Sequence, residues 1–167
     1  MEYVITAVIA YLLGSLSPSA LIAKIKHKNL KKEGTGNLGA TNTMLVFGKM
    51  LGFLVMILDI FKGFLAVKIA MWIVPEVEWF AMLAGFLAVI GHCFPFYLKF
   101  KGGKGVATAF GTLFLFSARY EFLGINWFVL PISALATWLT VAFISKKSSL
   151  SALTTALVLP IYVYFLS

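Results

Sequence analysis

Charge is scarce in this 167-residue sequence: 12% of its positions are Asp, Glu, Lys or Arg, and only six are acidic. A water-soluble domain carries about a quarter charged residues. The chain therefore lacks the polar surface to cover a globular core in water, which excludes a cytosolic enzyme. High hydrophobicity excludes a disordered protein as well. Cysteine occurs once, at Cys93, so there is no disulfide scaffold. With only His27 and His92 as histidines, and His92 next to Cys93, no zinc-ligand cluster is visible and no metal or cofactor is expected. What the chain has instead is 61% hydrophobic residues, sixteen of them Phe, and a mean hydropathy of +0.97. It belongs in a bilayer. The net charge of +8 would suggest nucleic acid on a soluble protein, but beside long apolar runs it marks a charged membrane face in contact with lipid headgroups. No nucleic-acid partner is expected, and the sequence names no protein partner.

A spanning helix needs about 20 mostly apolar residues. Six runs qualify: 4–25, 51–74, 79–98, 105–118, 122–145 and 150–166. The fourth is short, about 21 Å by helical rise, and is either tilted or incompletely spanning. None shows the in-out alternation of a barrel strand. Residues 38–48, set off by Gly48 and Lys49, predict a separate short helix or re-entrant segment at the inner interface. The expected fold is an all-α integral membrane protein, a compact bundle of about six transmembrane helices plus that short segment, forming one domain over residues 1–167. With the N-terminus outside, the inner connections are 24–49, 99–104 and Lys146 with Lys147, and they hold eleven of the fourteen basic residues. The outer ones hold Glu76, Glu78 and the pair Arg119/Glu121, so each connection obeys the positive-inside bias and the C-terminus is also outside. The first run lacks a basic leader and is about 33 Å long, enough to span uncut, so no cleaved signal is expected.

Two basic, glycine-rich segments share the inner face. In the first, Lys24, Lys26, Lys28, Lys31 and Lys32 precede Gly34, Thr35, Gly36, Asn37, Gly39, Thr41 and Asn42. Glycines let the backbone approach a ligand and aim its amides at an anion, and Thr and Asn add hydrogen bonds. The lysines alone set topology and touch anionic lipid; the Gly-Thr-Asn cluster suits a phosphate. In the second, Lys99, Lys101, Gly102, Gly103, Lys104 and Gly105 stand where the chain re-enters the membrane, so Lys104 and the first amides of the next helix form an anion site, with Thr108 one turn in. A nucleotide P-loop is excluded, because Gly105 rather than Ser or Thr follows Lys104 and no strand precedes it.

Asp59 and Lys62 lie deep in their span on one face and are expected to pair as a structural ion pair rather than take part in the chemistry. His92 is a candidate general base or donor, against the plainer reading of a packing residue at a helix end. A Ser-His-Asp triad is not expected, for want of an acidic partner near His92. Cys93 reads as inert core. Ser145, Ser148, Ser149 and Ser151 flank Lys146 and Lys147 and either cap the last helix or reach a phosphate.

Together, Gly14-Ser15-Leu16, the run from Gly34 to Asn42, Gly48-Lys49, Leu58-Asp59-Ile60-Phe61-Lys62-Gly63, Gly91-His92 with Phe94-Pro95, the run from Phe100 to Thr108, and Ser149-Leu150 resemble the bacterial acyl-phosphate:glycerol-3-phosphate acyltransferases, the PlsY family. The resemblance implies a multi-pass enzyme of the cell inner membrane. It would transfer a fatty acyl group from acyl phosphate to the 1-position of glycerol 3-phosphate, giving lysophosphatidic acid, without acyl-CoA. On the reading of the residues above, Lys104 and His92 are the candidates for catalysis. Ser15, Thr35, Gly36, Asn37, Gly39, Thr41, Asn42, Lys101, Gly102, Gly103, Gly105, Thr108 and Ser149 would bind substrate or phosphate. The family has been viewed as substrate-assisted, a phosphate taking the acceptor's proton, and the shortage of inner-side carboxylates agrees with that. The sequence departs from the family at Leu45, where arginine is usual, and at Ser17, where proline is usual and Pro18 follows. It also ends at Ser167 after one span beyond the serine motif, where the family usually adds another span and a tail with asparagine, arginine and histidine. These departures motivate the alternative of a noncatalytic relative that binds acyl phosphate or a phospholipid headgroup. A small transporter is a third reading, for which only Asp59 and Lys62 supply midplane polarity.

Overall fold

The computed structural model describes residues 1–119 and 129–166. Its helices are α1 (Glu2–Ser15), α2 (Pro18–Ile25), α3 (Ala40–Phe47), α4 (Lys49–Ile73), α5 (Glu78–Cys93), α6 (Val106–Arg119), α7 (Val129–Ser145) and α8 (Ser148–Leu166), with a 3-10 turn at Phe96–Leu98. Among the described residues there is no strand. The connection after Arg119, with Glu121, and the first residues of the expected span 122–145 lie outside the described residues. α4, and α5 with its following turn, are each long and apolar enough to cross a membrane, and α1 with α2 makes a third such element bent by 43°. α6, α7 and α8 are shorter apolar helices. The separate short helix expected between the first two spans is α3, and Gly48 divides it from α4.

The chain falls into two compact units, Met1–Thr112 and Leu113–Ser167. In the first, α1 packs along α5 and both lie against α4, with α3 folded onto the start of α4. Its buried apolar residues are mostly small: Ala10, Ala66, Ala70, Ala81, Ala84 and Ala88. Many of its large ones, among them Phe53, Phe61, Trp72, Trp79 and Phe86, face outward, while Phe80, Leu30 and Leu38 are buried. That is the arrangement lipid favours, because hydrocarbon gives no reason to hide a phenylalanine, while close backbone approach rewards small residues at helix contacts. Gly14 shows how close the approach is, since a Cβ there would collide with the carbonyl of Ala88.

The first expected span, 4–25, is not one helix. Pro18 has no N–H and its ring obstructs the preceding turn, so α1 stops at Ser15 and α2 restarts with Ser17 as its N-cap, accepting from Ala20 N–H at 3.3 Å. The break frees backbone groups that lipid cannot satisfy. Distant side chains satisfy them: Tyr97 Oη donates to Ser15 O (2.7 Å) and accepts from Ser17 N–H (3.0 Å), and Lys62 Nζ donates to Leu16 O (2.6 Å). Tyr11 Oη donates to Phe94 O at 2.9 Å, fixing the same end of α1 to the end of α5.

In the second unit α7 and α8 pack on each other, with Thr137 Oγ1 and Tyr162 Oη 3.2 Å apart. Ser145 Oγ accepts from Lys147 N–H (3.2 Å) and Ser151 Oγ donates to Lys147 O (3.1 Å), closing the turn between them.

Gly14→Ala forces α1 off α5 and is expected to cost about 1–3 kcal/mol. Thermal denaturation in detergent reads this as a lower midpoint; an unchanged midpoint would contradict the packing.

Candidate active site

The first glycine segment is shaped from within. Leu30 and Leu38 bury with Ala23 in a small apolar cluster, flanked by Val46, Phe47 and Leu98, which pins both ends of the segment. Asn42, on the buried side of α3, organises the loop. Its Nδ2 donates to Leu30 O (2.9 Å) and Glu33 O (3.1 Å), and its Oδ1 accepts from Thr35 N–H (2.7 Å). Both amide protons are thus spent inside the protein, which makes Asn42 a shaper of the loop rather than a donor projecting from it. Gly39 is buried at the N-cap of α3 and its carbonyl accepts from Thr43 N–H and Oγ1, each at 3.0 Å. Thr35, Gly36 and Thr41 are exposed and Asn37 is half-buried. Lys28 and Glu33 form an exposed ion pair at 3.3 Å, which adds little to stability.

The second segment doubles back on the end of α5. Gly102 N–H donates to Cys93 O (2.9 Å) and Gly103 N–H to His92 O (3.1 Å), satisfying carbonyls that the helix leaves open. Gly103 lies so close that a Cβ there would collide with His92 Nε2 and, on the other side, approach Leu38 O. The two segments therefore touch. Lys31 Nζ adds a second link by donating to Leu98 O at 3.2 Å. Lys101 and Lys104 are exposed beside this junction, and partial desolvation holds the Lys104 ammonium below the usual lysine range. Gly105 is buried, its carbonyl accepts from Ala109 N–H (2.7 Å), and α6 starts at the next residue, so the positive end of its dipole lies directly after Lys104 in the chain. Thr108, in the first turn of α6, is fully buried.

Two further expected site residues lie on other elements. Ser15 is buried at the end of α1 with its hydroxyl donated to Leu12 O (2.7 Å). Ser149 belongs to the second unit, exposed in the first turn of α8.

Beneath the second segment lies a buried polar cluster. Lys62 Nζ is 2.9 Å from Asp59 Oδ1, and His92 Nδ1 is 3.4 Å from the same oxygen. All three residues are less than a tenth exposed. The expectation that His92 has no acidic neighbour is overturned: α4 and α5 pack side by side and bring Asp59 to it across a long stretch of sequence. Lys62 has a second task that its helical spacing with Asp59 does not reveal, the bond to Leu16 O. Sequence reasoning also missed Tyr97, whose hydroxyl bridges the α1–α2 break; the visible signal was a tyrosine directly after the Pro95-Phe96 turn.

The arrangement thus offers exposed lysines and backbone turns of two glycine segments, held together over a fixed imidazole. Such a surface can hold phosphorylated groups. The family described as "Glycerol-3-phosphate acyltransferase" matches residues 4–167. A glycerol-3-phosphate acyltransferase of Coxiella burnetii is 41% identical over 163 residues, covering 97% of this chain and 79% of the relative. One from Dinoroseobacter shibae is 44% identical over 156 residues, covering 93% and 71%. The crystal structure of PlsY, an integral membrane glycerol 3-phosphate acyltransferase, in its glycerol 3-phosphate form superposes with a TM-score of 0.83 at 33% identity, covering 99% of this chain and 78% of that one. Its lysophosphatidic acid form gives 0.81 at 32% identity, covering 99% and 77%. Matching from α1 through α8, with the same all-helical fold, this chain belongs to the glycerol-3-phosphate acyltransferase family and is an integral membrane acyltransferase.

Proposed function

We propose that this protein transfers a fatty acyl group from an acyl phosphate to the 1-hydroxyl of glycerol 3-phosphate, with residues 1–167 acting as one membrane-embedded domain. The site faces the cytoplasm from the bacterial inner membrane and the N-terminus is outside. The observation that carries this reading is the contact between the two basic glycine segments at Gly103, Leu38, Lys31 and Leu98. Both substrates are phosphoanions, and a site that joins them needs two anion-holding elements side by side. The crystal forms of the related PlsY, one with glycerol 3-phosphate and one with lysophosphatidic acid, support acceptor and product of this kind.

The donor is a mixed anhydride with an apolar tail, which lies in lipid while its phosphate meets the lysines. The acceptor hydroxyl oxygen attacks the acyl carbonyl, forming the ester C–O bond. The C–O bond to phosphate breaks, and the hydroxyl proton leaves on a phosphate oxygen. Lys104, exposed beside the second segment, supplies charge where the carbonyl oxygen and leaving phosphate become more negative. The exposed glycine-segment groups Thr35, Gly36, Thr41 and Lys101, with the half-buried Asn37 and Gly102, serve as the phosphate-facing surface, and the buried Gly39 and Gly105 shape the turns beneath it. Asn42 keeps that surface in shape, and His92 supports it from below.

Four outcomes are expected. Purified protein in lipid, given palmitoyl phosphate and labelled glycerol 3-phosphate, makes lysophosphatidic acid; well-folded protein that binds the donor without turnover would instead identify a noncatalytic relative. Lys104→Ala lowers kcat by about 100- to 1,000-fold, the cost of losing one preorganised charge contact. Because the lowered Lys104 pKa means that its positive charge is present at neutral pH and lost on the alkaline side sooner than for an ordinary lysine, wild-type activity declines there and Lys104→Arg carries it to higher pH. For orientation, single cysteines in a Cys93→Ser background are probed with an impermeant thiol reagent on intact cells. Glu76→Cys reacts, while Lys32→Cys and Lys101→Cys react only after the cells are opened; finding Lys32 and Lys101 on opposite sides would refute the proposal.

A further inference from the structure

We propose that Asp59 is a positioning residue for acyl transfer, acting through His92 on the glycine segment that carries Lys104. The inference rests on the acyltransferase reading and extends it to a buried carboxylate outside the phosphate-facing surface.

His92 stands in the last turn of α5 with its two ring nitrogens in different surroundings. Nδ1 faces Asp59 Oδ1 at 3.4 Å, and Nε2 lies against the backbone of Gly103, at the position where any side chain there would collide. The backbone of the same histidine accepts the Gly103 N–H at 3.1 Å. The segment from Gly102 to Gly105 is thus seated on the imidazole and tied to its main chain, and Lys104 is the next residue along. Anything that sets the ring also sets the lysine.

An unrestrained neutral imidazole can rotate about its side-chain bonds and carry its proton on either nitrogen. An anionic acceptor on one nitrogen selects both the orientation and the tautomer. Asp59 places an anionic oxygen 3.4 Å from Nδ1. Its charge is compensated by Lys62 at 2.9 Å, and Lys62 is itself anchored to Leu16 O at the α1–α2 break. The carboxylate thereby relates three parts of the first unit: through Lys62 the broken first helix, α4 itself, and through His92 the loop after α5. A merely structural ion pair would need only Lys62. The placement of Oδ1 between Lys62 and His92 gives Asp59 a second function.

Two measurements test this. In a His27→Asn protein, His92 is the single histidine, and nitrogen-15 NMR of the labelled ring reads its tautomer directly, without dependence on turnover. The neutral ring is expected to carry its proton on Nδ1; a proton on Nε2 overturns the proposal. For kinetics, Asp59→Asn is combined with Lys62→Gln, which removes the carboxylate without stranding a buried charge and keeps a donor for Leu16 O. This pair is expected to lower kcat about 10- to 100-fold, the scale of a misplaced contact group, while the protein retains its melting temperature. The same pair is expected to cost little more in a His92→Gln background, because both changes act on one element. Fully additive losses would show that Asp59 acts independently of His92 and would overturn the proposal, and should the pair fail to fold, the tautomer alone decides. If the wild-type protein transfers no acyl group, the transferase reading fails on that result, and the tautomer still tests the positioning of His92 separately.

Discussion

One buried carboxylate organises the polar interior of this protein. Asp59 sits in a span where an unpaired charge costs several kcal/mol, so it must be matched. Lys62 matches it from one turn along α4, and His92 approaches the same oxygen from α5. Buried ion pairs add little net stability over an apolar alternative, because desolvation consumes most of the attraction. What such a group provides is register. His92 of α5 reaches Asp59, and Lys62 reaches both Asp59 and Leu16 O, so these contacts tie α4 to α5 and to the broken first helix.

The glycine segments depend on that register. Apart from the first turn of α3 and the 3-10 turn at Phe96–Leu98, neither has regular secondary structure to hold it. The first is filled from inside by Leu30, Leu38 and the amide of Asn42. The second is tied to the last carbonyls of α5. Each is rigid at its base and open at its tip. A site that must release a charged product into water while keeping a lipid tail in the bilayer requires that combination.

Much of this could be read before any coordinates. Runs of apolar residues located the helices, and Gly48 with Lys49 separated α3 from α4. The two glycine-rich segments stood out by composition, and their lysines placed them on one face. Contacts that cross between helices were not legible. Periodicity relates residues three or four apart on one helix, which reveals Asp59 with Lys62 but never Asp59 with His92. Pro18 hinted at a break, yet 4–25 still read as one span, because the groups that make a break tolerable, Tyr97 and Lys62, come from distant positions. Asn42 has the residue type of a ligand, and its buried amide is spent on the backbone of the loop. A polar side chain in a glycine-rich stretch serves a bound anion or the loop itself, and only its burial distinguishes the two.

The small-residue interior of the first unit turns the usual map of mutational sensitivity inside out. In water, deleting a large side chain from a core leaves a costly hole. Here most of the large side chains, Phe80 excepted among the phenylalanines of the helix contacts, already face hydrocarbon, where lipid tails refill whatever space is vacated, and the alanines mark the places with no room to spare. A scan judged by the habits of soluble proteins would expect harm at the phenylalanines. It would find harm where a single methyl group is all the neighbouring helix can tolerate.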